Sequence, residues 1–456
     1  MNNQKKETLI PRELIYPFLL VTILFPMWGF AADITNPLVA AFSRIFLISN
    51  FEGALIQFCF YGGYCAMAIP AAIFIRKHSY KSGIMMGLGL YASGALLFIP
   101  SAWIADFYPF LISYFIMTCG LSFLETSAGP YILSMGDPKR ATQRLNLAQS
   151  FYPIGSLIGM FTAKNYIQVK LNDADTATRK VLFETNPEQF KSIQLSDLDV
   201  VSSPYIFIGG LLVVLIVIYY LSKMPHHFDS KTPLNIKATL KRLKANPRFK
   251  ERVVAQFCYV GAEVMCWTFI IHYGVRVFMN EGMTEKEAEQ IALQYNIYAM
   301  ITFGICRFLF TYLLNYIKSG QLLKIVALTA ISFTLSLILI DGRWGIYSFI
   351  GISGCLSMMW PTIFGSALTG MKSDSKIASA GMIVVIGGGS LLPPLQGKLI
   401  DIGNTTGQLW GIPAVNASFI LVLLCFMVIA IYGYRLQKVH EPKFDATGEL
   451  PKEAQE

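Results

Sequence analysis

Five ionisable side chains lie within long apolar stretches of this sequence, and they are the residues best suited to chemistry: Asp33, Glu125, Glu263, His272 and Arg307. Glu125 is the most costly, because residues 107–124 and 126–136 contain no Asp, Glu, Lys, Arg or His. A carboxyl group in such a segment must be protonated, paired or wetted by a cavity. Since burial brings carboxyl titration into the physiological range, Glu125 has the property that a proton carrier needs.

The other polar residues of the apolar stretches suggest a binding surface for a hydroxylated ligand. Asp33 and Asn36 are three residues apart and share a helix face, and Pro37 favours an interrupted helix just after them. Glu263 is either a second titrating group or the ion-pair partner of Arg307. The lone amides are Gln57, Asn146, Gln149, Gln256 and Asn296, and such amides also commonly cross-link membrane helices. The aromatic side chains able to stack on a sugar ring are Trp28, Tyr152, Tyr259, Trp267 and Trp360.

The elements that position these residues are membrane-spanning helices. The chain has 456 residues, of which 54% are hydrophobic and 14% charged, whereas soluble domains carry about 25% charged residues. Unbroken apolar runs exclude the alternating pattern of a barrel, so we predict an all-α polytopic membrane protein with about twelve crossings. The predicted spans are 14–38, 52–76, 82–100, 107–135, 143–168, 202–222, 252–279, 290–316, 322–340, 345–371, 377–399 and 411–435.

The charges between the spans predict orientation and domain organisation. Basic residues concentrate in the N-terminus, in alternate loops, in the segment around 223–252 and in the C-terminal tail, which predicts that both termini are cytoplasmic in the cell inner membrane. This distribution explains the net charge of +9 without nucleic-acid binding. The predicted organisation is a cytoplasmic N-terminus (1–13), a six-helix bundle (14–222), a central loop (223–251), a second six-helix bundle (252–436) and a cytoplasmic tail (437–456). Two such halves match the parallel-repeat transporter plan, with its site at mid-membrane between them.

Two features concern the central loop and the glycines. Residues 236–250 are basic and partly amphipathic, which fits either a helix on the membrane surface or a solvated linker. Gly155 and Gly159, and the run Gly387–Gly389, predict close helix approach, with Pro393 and Pro394 breaking the helix that follows the run.

Enzymatic chemistry is not indicated. The chain contains no GxxxxGK[ST] phosphate loop, no nucleophile–base motif and no metal-ligand spacing. All eight cysteines lie in predicted spans without a pairing framework. We therefore expect no catalytic residues, no metal site and no cofactor, and a gradient as the energy source.

Six sequence runs, spread over both halves, resemble the L-fucose/proton symporter family of the major facilitator superfamily. They are residues 70–98, 120–131 (GLSFLETSAGPY), 144–151 (RLNLAQSF), 255–267 (AQFCYVGAEVMCW), 361–364 and 386–389. The resemblance implies the fold of that superfamily, import of a monosaccharide coupled to downhill proton entry by alternating access, and a monomer in the lipid bilayer.

The resemblance also implies roles for individual residues. Glu125 matches the family's fourth-helix coupling glutamate, but the position of the first-helix aspartate is Asn36, and Asp33 lies one turn earlier. Either Asp33 has taken over the coupling role or Glu125 couples alone. Gln149 matches a sugar-contacting glutamine. Tyr152 and Trp360 replace a family Asn and Tyr, so fucose itself is not implied, and WGFAADITNP resembles the glucose, galactose or N-acetylglucosamine branch.

The leading hypothesis is a proton-coupled importer of a hexose or related monosaccharide. Its proton-coupling residues would be Glu125 and Asp33, and its substrate-binding residues would be Asn36, Gln57, Gln149, Tyr152, Gln256, Glu263, Trp267 and Trp360. The alternatives are a sodium-coupled sugar symporter, drug efflux on the same fold, and a sugar sensor without net transport. Measuring sugar uptake with and without sodium distinguishes a sodium-coupled symporter from a proton-coupled one. Substrate-dependent acidification of vesicles distinguishes a proton-coupled transporter from a sensor.

Overall fold

The computed structural model describes residues 10–136, 144, 147–149, 151–224, 236–314, 316–368, 375–403 and 407–440, which are almost entirely helical. Up to residue 224 the helices are α1 (Ile15–Thr22), α2 (Leu24–Phe46), α3 (Asn50–Lys77), α4 (Tyr80–Leu96), α5 (Phe98–Ile104), α6 (Phe107–Ser134), α7 (Tyr152–Thr162), α8 (Gln168–Lys170), α9 (Thr176–Thr185) and α10 (Pro187–Leu221). A 3-10 turn over Arg12–Leu14 precedes α1, and a π-helical turn over Ala163–Ile167 joins α7 to α8.

From residue 236 onward the helices are α11 (Ile236–Ala245), α12 (Pro247–Asn280), α13 (Glu285–Leu313), α14 (Ser319–Leu339), α15 (Arg343–Leu356), α16 (Met359–Leu368), α17 (Ser375–Val384), α18 (Gly388–Gly403), α19 (Ala414–Ser418) and α20 (Ile420–Arg435). A 3-10 turn over Val385–Gly387 links α17 to α18, and a π-helical turn over Leu436–His440 follows α20. Two short antiparallel strands, β1 (Gln408–Leu409) and β2 (Ile412–Pro413), form a hairpin before α19.

The predicted all-α, polytopic architecture is confirmed. Within the described residues, ten stretches of helix are long and apolar enough to cross a membrane. Of the two remaining predicted crossings, 143–168 is described in part and contains α7, and 290–316 corresponds to α13. The 29 residues of α13 extend for about 43 Å at 1.5 Å per residue, which is enough to span a bilayer.

Two predicted helix breaks at proline are wrong. Helix α2 continues through Pro37 to Phe46, and α18 contains both Pro393 and Pro394. Proline is tolerated inside membrane helices because neighbouring groups satisfy the backbone carbonyls that it frees. The departure from α-helical geometry lies instead at residues 385–387, in the glycine-containing turn before α18.

Chain segments that were predicted to lie outside the membrane spans also form helices in the structure. Helix α10 begins at Pro187, with Asn186 as its N-cap, and therefore fifteen residues before the predicted span at 202. The Asn186 side chain accepts a hydrogen bond from the backbone N–H of Gln189, and Pro187 occupies the first turn, where its missing N–H costs nothing. In the central loop, α11 is a helix over part of the amphipathic stretch.

Glycines in α2 and α7 bring these two helices into close contact, as the spacing of Gly155 and Gly159 predicts. A Cβ atom at Gly155 would lie 1.8 Å from the carbonyl oxygen of Pro26, and one at Gly29 would lie 2.3 Å from that of Tyr152. The glycines therefore fix how α7 sits against the polar part of α2. Helix α3 packs along α18, and α2 contacts α12. Helices that precede residue 225 therefore meet helices that follow residue 235 around the polar part of α2.

Candidate functional site

Glu125 lies in the last third of α6, half-buried. The two hydroxyl residues that follow it form hydrogen bonds with the backbone of the same helix. Thr126 Oγ1 donates to the carbonyl of Ser122, and Ser127 Oγ donates to that of Phe123. Within the described part of the chain, no side chain forms a hydrogen bond or ion pair with the Glu125 carboxyl. A carboxyl group in this position can gain and lose a proton without first breaking a salt bridge.

Tyr64 of α3 connects Glu125 to α2. The Ser122 hydroxyl, one turn before Glu125, donates to the backbone carbonyl of Tyr64 at 3.3 Å. The Tyr64 hydroxyl accepts a hydrogen bond from the Trp28 indole N–H and lies within range of the charge that Glu125 carries when it is ionised. This buried tyrosine was not predicted as a site residue.

A chain of polar side chains runs from α2 across α3 to α12. Asn36 Nδ2 donates to Asp33 Oδ1 at 3.4 Å, and Gln57 Nε2 donates to Asn36 Oδ1 at 3.0 Å and to Thr268 Oγ1 at 3.1 Å. All four side chains are buried. Asp33 Oδ2 and Gln57 Oε1 have no hydrogen-bond partner among the described residues. Buried polar atoms are normally paired, so these two oxygens are candidates for contact with a ligand or water.

The opposite wall of the site is formed by α12 and α16. The Tyr259 hydroxyl donates to Glu263 Oε1, one turn along α12, and Glu263 interacts electrostatically with both Arg307 and Asp33. The Tyr259 ring lies 6.0 Å from that of Trp360, measured between centroids. Glu263 thus has the tyrosine as a hydrogen-bond donor and the arginine as a charged neighbour, so its two predicted roles remain open.

Trp267 lies one turn beyond Glu263. Its indole N–H donates to Ser353 Oγ at 3.4 Å, and its ring meets Phe303 edge to face at 5.3 Å. The indole is half-buried, so part of the ring remains available for stacking.

The structure therefore brings together most of the predicted site residues. Hydrogen bonds through Asn36 link Asp33 to Gln57, and Tyr152 lies within range of the charges that Asp33 and Glu263 carry when they are ionised. Gln256 is fully buried, and neither atom of its amide has a hydrogen-bond partner in the described residues.

Of the two amide side chains predicted on the fifth crossing, Gln149 is among the described residues. The Gln149 side chain is exposed rather than enclosed among the other site residues. Asn146 lies outside the described residues.

Sequence reasoning predicted Gln57 but missed Tyr61 and Tyr64, which have a recognisable spacing from it. Gln57, Tyr61 and Tyr64 follow one another at intervals of four and three residues, so they share one face of α3. Tyr61 lies within range of the charges that Asp33 and Glu263 carry when they are ionised, which points to the same site. A polar and aromatic stripe beginning at Gln57 was therefore present in the sequence. Within the described residues, no group of three or more His, Cys, Asp or Glu side chains could hold a metal ion.

Comparison with known proteins gives a consistent family. A family model of the Major Facilitator Superfamily matches residues 21–393. An L-fucose-proton symporter of Haemophilus influenzae is 46% identical over 433 residues, which cover 94% of this chain and 98% of that protein. A glucose/galactose transporter of Brucella abortus is 28% identical over 419 residues, which cover 91% and 92%. The crystal structure of the transporter FucP in the outward conformation is similar with a TM-score of 0.68 and 32% identity, covering 93% of this chain and 99% of that one.

Proposed function

The chain belongs to the Major Facilitator Superfamily and, within it, to the L-fucose-proton symporter family, and from this premise we propose that it imports a monosaccharide together with a proton by alternating access. It is a multi-pass membrane protein and a transporter rather than an enzyme. The relatives named above are sugar transporters.

The observation that carries the proposal is the Glu125 carboxyl, half-buried in a membrane helix and without a hydrogen-bond or ion-pair partner among the described residues. A structural carboxylate in this position would need a cation to offset its desolvation. A carboxyl group that exchanges a proton with each side of the membrane in turn works better without a cationic partner, because no ion pair has to break first. Glu125 is therefore the proposed proton carrier, and Asp33 is the proposed second carboxyl group.

The sugar is proposed to bind between the two carboxyl groups and the wall formed by α12 and α16. Amide side chains can both donate to and accept from sugar hydroxyls, and the proposed set is Asn36, Gln57, Gln149 and Gln256. Tyr152 and Glu263 add a hydroxyl and a carboxyl group. Trp267 and Trp360 offer ring faces, which suit the apolar faces of a pyranose.

Alternating access follows from the contact between helices of the two predicted bundles, 14–222 and 252–436. The hydrogen bond from Gln57 to Thr268 joins them at the site, so a sugar that replaces this bond changes how the bundles meet. We propose that the protein is a monomer in the inner membrane, that both termini are cytoplasmic, and that the proton gradient is its energy source, with no cofactor.

The test is proton-driven sugar uptake into proteoliposomes, compared for wild type and Glu125→Gln. Net uptake should fall by about a hundredfold, the lower range for removal of a proton-transfer group. Counterflow exchange should persist, because exchange needs sugar binding but no net proton movement.

Glu184→Gln is the matched control, since Glu184 is an exposed carboxylate on α9, and it should behave as wild type in both assays. Wild-type pH dependence surviving in Glu125→Gln would refute the carrier role. A requirement of uptake for sodium would refute proton coupling.

A further inference from the structure

One side of the helix bundle holds a group of contacts that the proposed sugar and proton sites do not use. We call it the far side: it is where α2 ends at Phe46, α3 begins at Asn50, α13 begins at Glu285 and α18 ends at Gly403. With both termini in the cytoplasm, the far side faces the outside of the cell.

The Asp401 carboxylate caps the first turn of α3 from the end of α18. Asp401 Oδ1 accepts hydrogen bonds from the Asn50 backbone N–H at 3.0 Å and from Asn50 Nδ2 at 2.8 Å, and Oδ2 accepts one from the Phe51 N–H at 2.8 Å. These two N–H groups are among those that a helix leaves unpaired at its start. A carboxylate at this place is further favoured by the helix dipole.

Helix α3 has its own cap, and Asp401 completes it. Ser49 Oγ accepts from the Glu52 N–H, while the Glu52 carboxylate accepts from the Ser49 N–H, which is a capping box. The box satisfies the third N–H of the helix and leaves those of Asn50 and Phe51 for Asp401. When the two bundles separate on the far side, water can take over these two donors, so the contact is reversible.

Gly397, one turn before Asp401, allows α18 to approach this closely. A Cβ atom at Gly397 would lie 2.6 Å from the carbonyl oxygen of Asn50, nearer than carbon and oxygen atoms pack without displacement. The close contact of α18 with the start of α3 therefore depends on glycine at this position.

A second far-side contact is a buried ion pair between α2 and α13. Arg44 Nη1 lies 2.9 Å from Glu289 Oε2, and the two side chains are 2% and 3% exposed. Arg44 Nε and Nη2 have no hydrogen-bond partner among the described residues. An ion pair that is incompletely satisfied recovers little of its desolvation cost, and rehydration of both groups on opening offsets the loss of the bond.

The first turn of α13 contacts the first residue of α9, Thr176, and the segment that leads into it. Glu285 accepts hydrogen bonds from the backbone N–H and the hydroxyl of Thr176 at 2.7 and 2.8 Å, and Lys286 donates to the carbonyl of Leu171 at 2.9 Å. Polar contacts that water can replace therefore take part in closing the far side.

We propose that Asp401 and the Arg44–Glu289 pair are the external latch of the transport cycle. They position α3 against α18 and α2 against α13 in the outward-closed state, and they separate each time the site opens to the outside. The latch rests on the proposed alternating access and orientation, but its residues are distinct from those assigned to sugar and proton.

The test measures access from outside to a cysteine placed behind the latch. Ala54 is fully buried in the first turns of α3, between Asn50 and Gln57. Whole cells expressing Ala54→Cys, alone or with Asp401→Ala, are treated with a membrane-impermeant thiol reagent, and labelling of the parent chain is subtracted. Because the open state gains population when latch contacts are lost, Asp401→Ala should speed labelling by about tenfold.

Four further variants separate the latch from a folding effect. Gly397→Ala should speed labelling in the same way, because its Cβ atom pushes α18 away while alanine favours the helix. Glu52→Ala, which removes the local cap of α3 but touches nothing beyond it, should leave the labelling rate unchanged. The exchanged pair Arg44→Glu/Glu289→Arg should label as slowly as wild type, whereas Glu289→Gln alone should label faster.

Transport provides the second readout. Asp401→Ala should lower the half-saturating sugar concentration on the outside while slowing turnover, since the outward-open state is favoured and return from it is slower. Unchanged labelling in both Asp401→Ala and Gly397→Ala, with normal expression, would overturn the latch. Whether sugar carries a proton is measured on the wild-type chain, so a failure of symport and a failure of the latch are distinguishable.

Discussion

At the scale of residues, the first-helix carboxyl group lies at a different place from the position that the resemblance marks. Asn36 occupies that position and donates to Asp33 at 3.4 Å, so the two side chains form one polar unit. Asp33 lies one helical turn before that position and is linked to Gln57 through Asn36. This geometry favours Asp33 as the second proton site over a role for Glu125 alone.

Asp33→Asn should therefore reduce proton-driven net uptake by about a hundredfold, the lower range for removal of a proton-transfer group. Counterflow exchange should remain, because an amide at position 33 can still bond Asn36. Both are measured in proteoliposomes with an imposed pH gradient. Undiminished net uptake would show that Glu125 couples alone.

The exchanged variant Asp33→Asn/Asn36→Asp is the matched control for that result. It keeps one carboxyl and one amide in the same unit, so net uptake should recover substantially over Asp33→Asn. Failure to recover, with normal expression, would mean that the position of the carboxyl group is itself decisive.

Gln57 links the first-helix polar unit to α12. Gln57→Leu removes hydrogen bonds that each contribute about 0.5–1.5 kcal/mol, so the half-saturating sugar concentration should rise by roughly tenfold. Initial uptake rates over a range of sugar concentrations measure it. Gln321→Leu, at an exposed position of α14, should leave that concentration unchanged, and an unaltered value in Gln57→Leu would argue against direct sugar contact.

The candidate site could be predicted in part from the sequence. Glu125 and Asp33 stand out because a carboxyl group in an apolar helix is costly, and the resemblance adds Gln149 and Trp360. Thr268 could not be identified in this way, since a threonine in a membrane helix is common. Its role depends on which helices face one another, which the spacing within one helix does not specify.

At the scale of elements, hydropathy predicted the helices well and proline predicted their interruptions badly. The apolar runs located the spans because a membrane helix must satisfy its own backbone groups. Pro37 and Pro394 lie inside continuous helices, since packing against neighbours compensates for the missing hydrogen bond. The end of α10 was predicted closely, but its start was not, because its first turns extend beyond the apolar stretch.

The glycine contact between α2 and α7 gives a stability prediction. Gly155→Ala places a Cβ atom 1.8 Å from the Pro26 carbonyl oxygen, and overpacking of this kind costs about 1–3 kcal/mol. Its thermal unfolding midpoint in detergent should fall.

Gly210→Ala is the matched control, because nothing lies within 4 Å of a Cβ atom there. Its midpoint should be equal to that of wild type or slightly higher. Equal midpoints for Gly155→Ala and wild type would show that α2 and α7 are less tightly packed than described.

The helices outside the spans are held by a second buried ion pair. Arg179 of α9 and Asp197 of α10 are 2.5 Å apart and almost fully buried, and Asp197 also accepts from the Asn172 N–H. Asp197→Ala leaves the arginine buried and unpaired, which costs about 3–5 kcal/mol.

Limited proteolysis of residues 171–186 should therefore be faster in Asp197→Ala than in wild type. Asp173→Ala removes a partner whose side chain is 88% exposed, so cleavage should change little. Equal cleavage rates in the two variants would contradict the structural role of the buried pair.

At the scale of the whole molecule, the structure is closed on the far side. The sequence does not predict this state, because inward-open and outward-open forms share the same helices and bury the same apolar faces. What distinguishes them is a small set of polar contacts between the bundles, such as those of Asp401 and Arg44. The family was predictable from the sequence runs, but the conformation was not.

The central claim is that sugar and proton enter together, and the measurement that tests it most directly is sugar-dependent acidification inside proteoliposomes. Wild-type protein is reconstituted with an internal pH dye, and L-fucose, glucose, galactose and N-acetylglucosamine are added in turn without sodium. At least one sugar should acidify the interior, and the same sugar should give no acidification with Glu125→Gln. Entry of that sugar into wild-type vesicles without acidification, or only in the presence of sodium, would contradict the account.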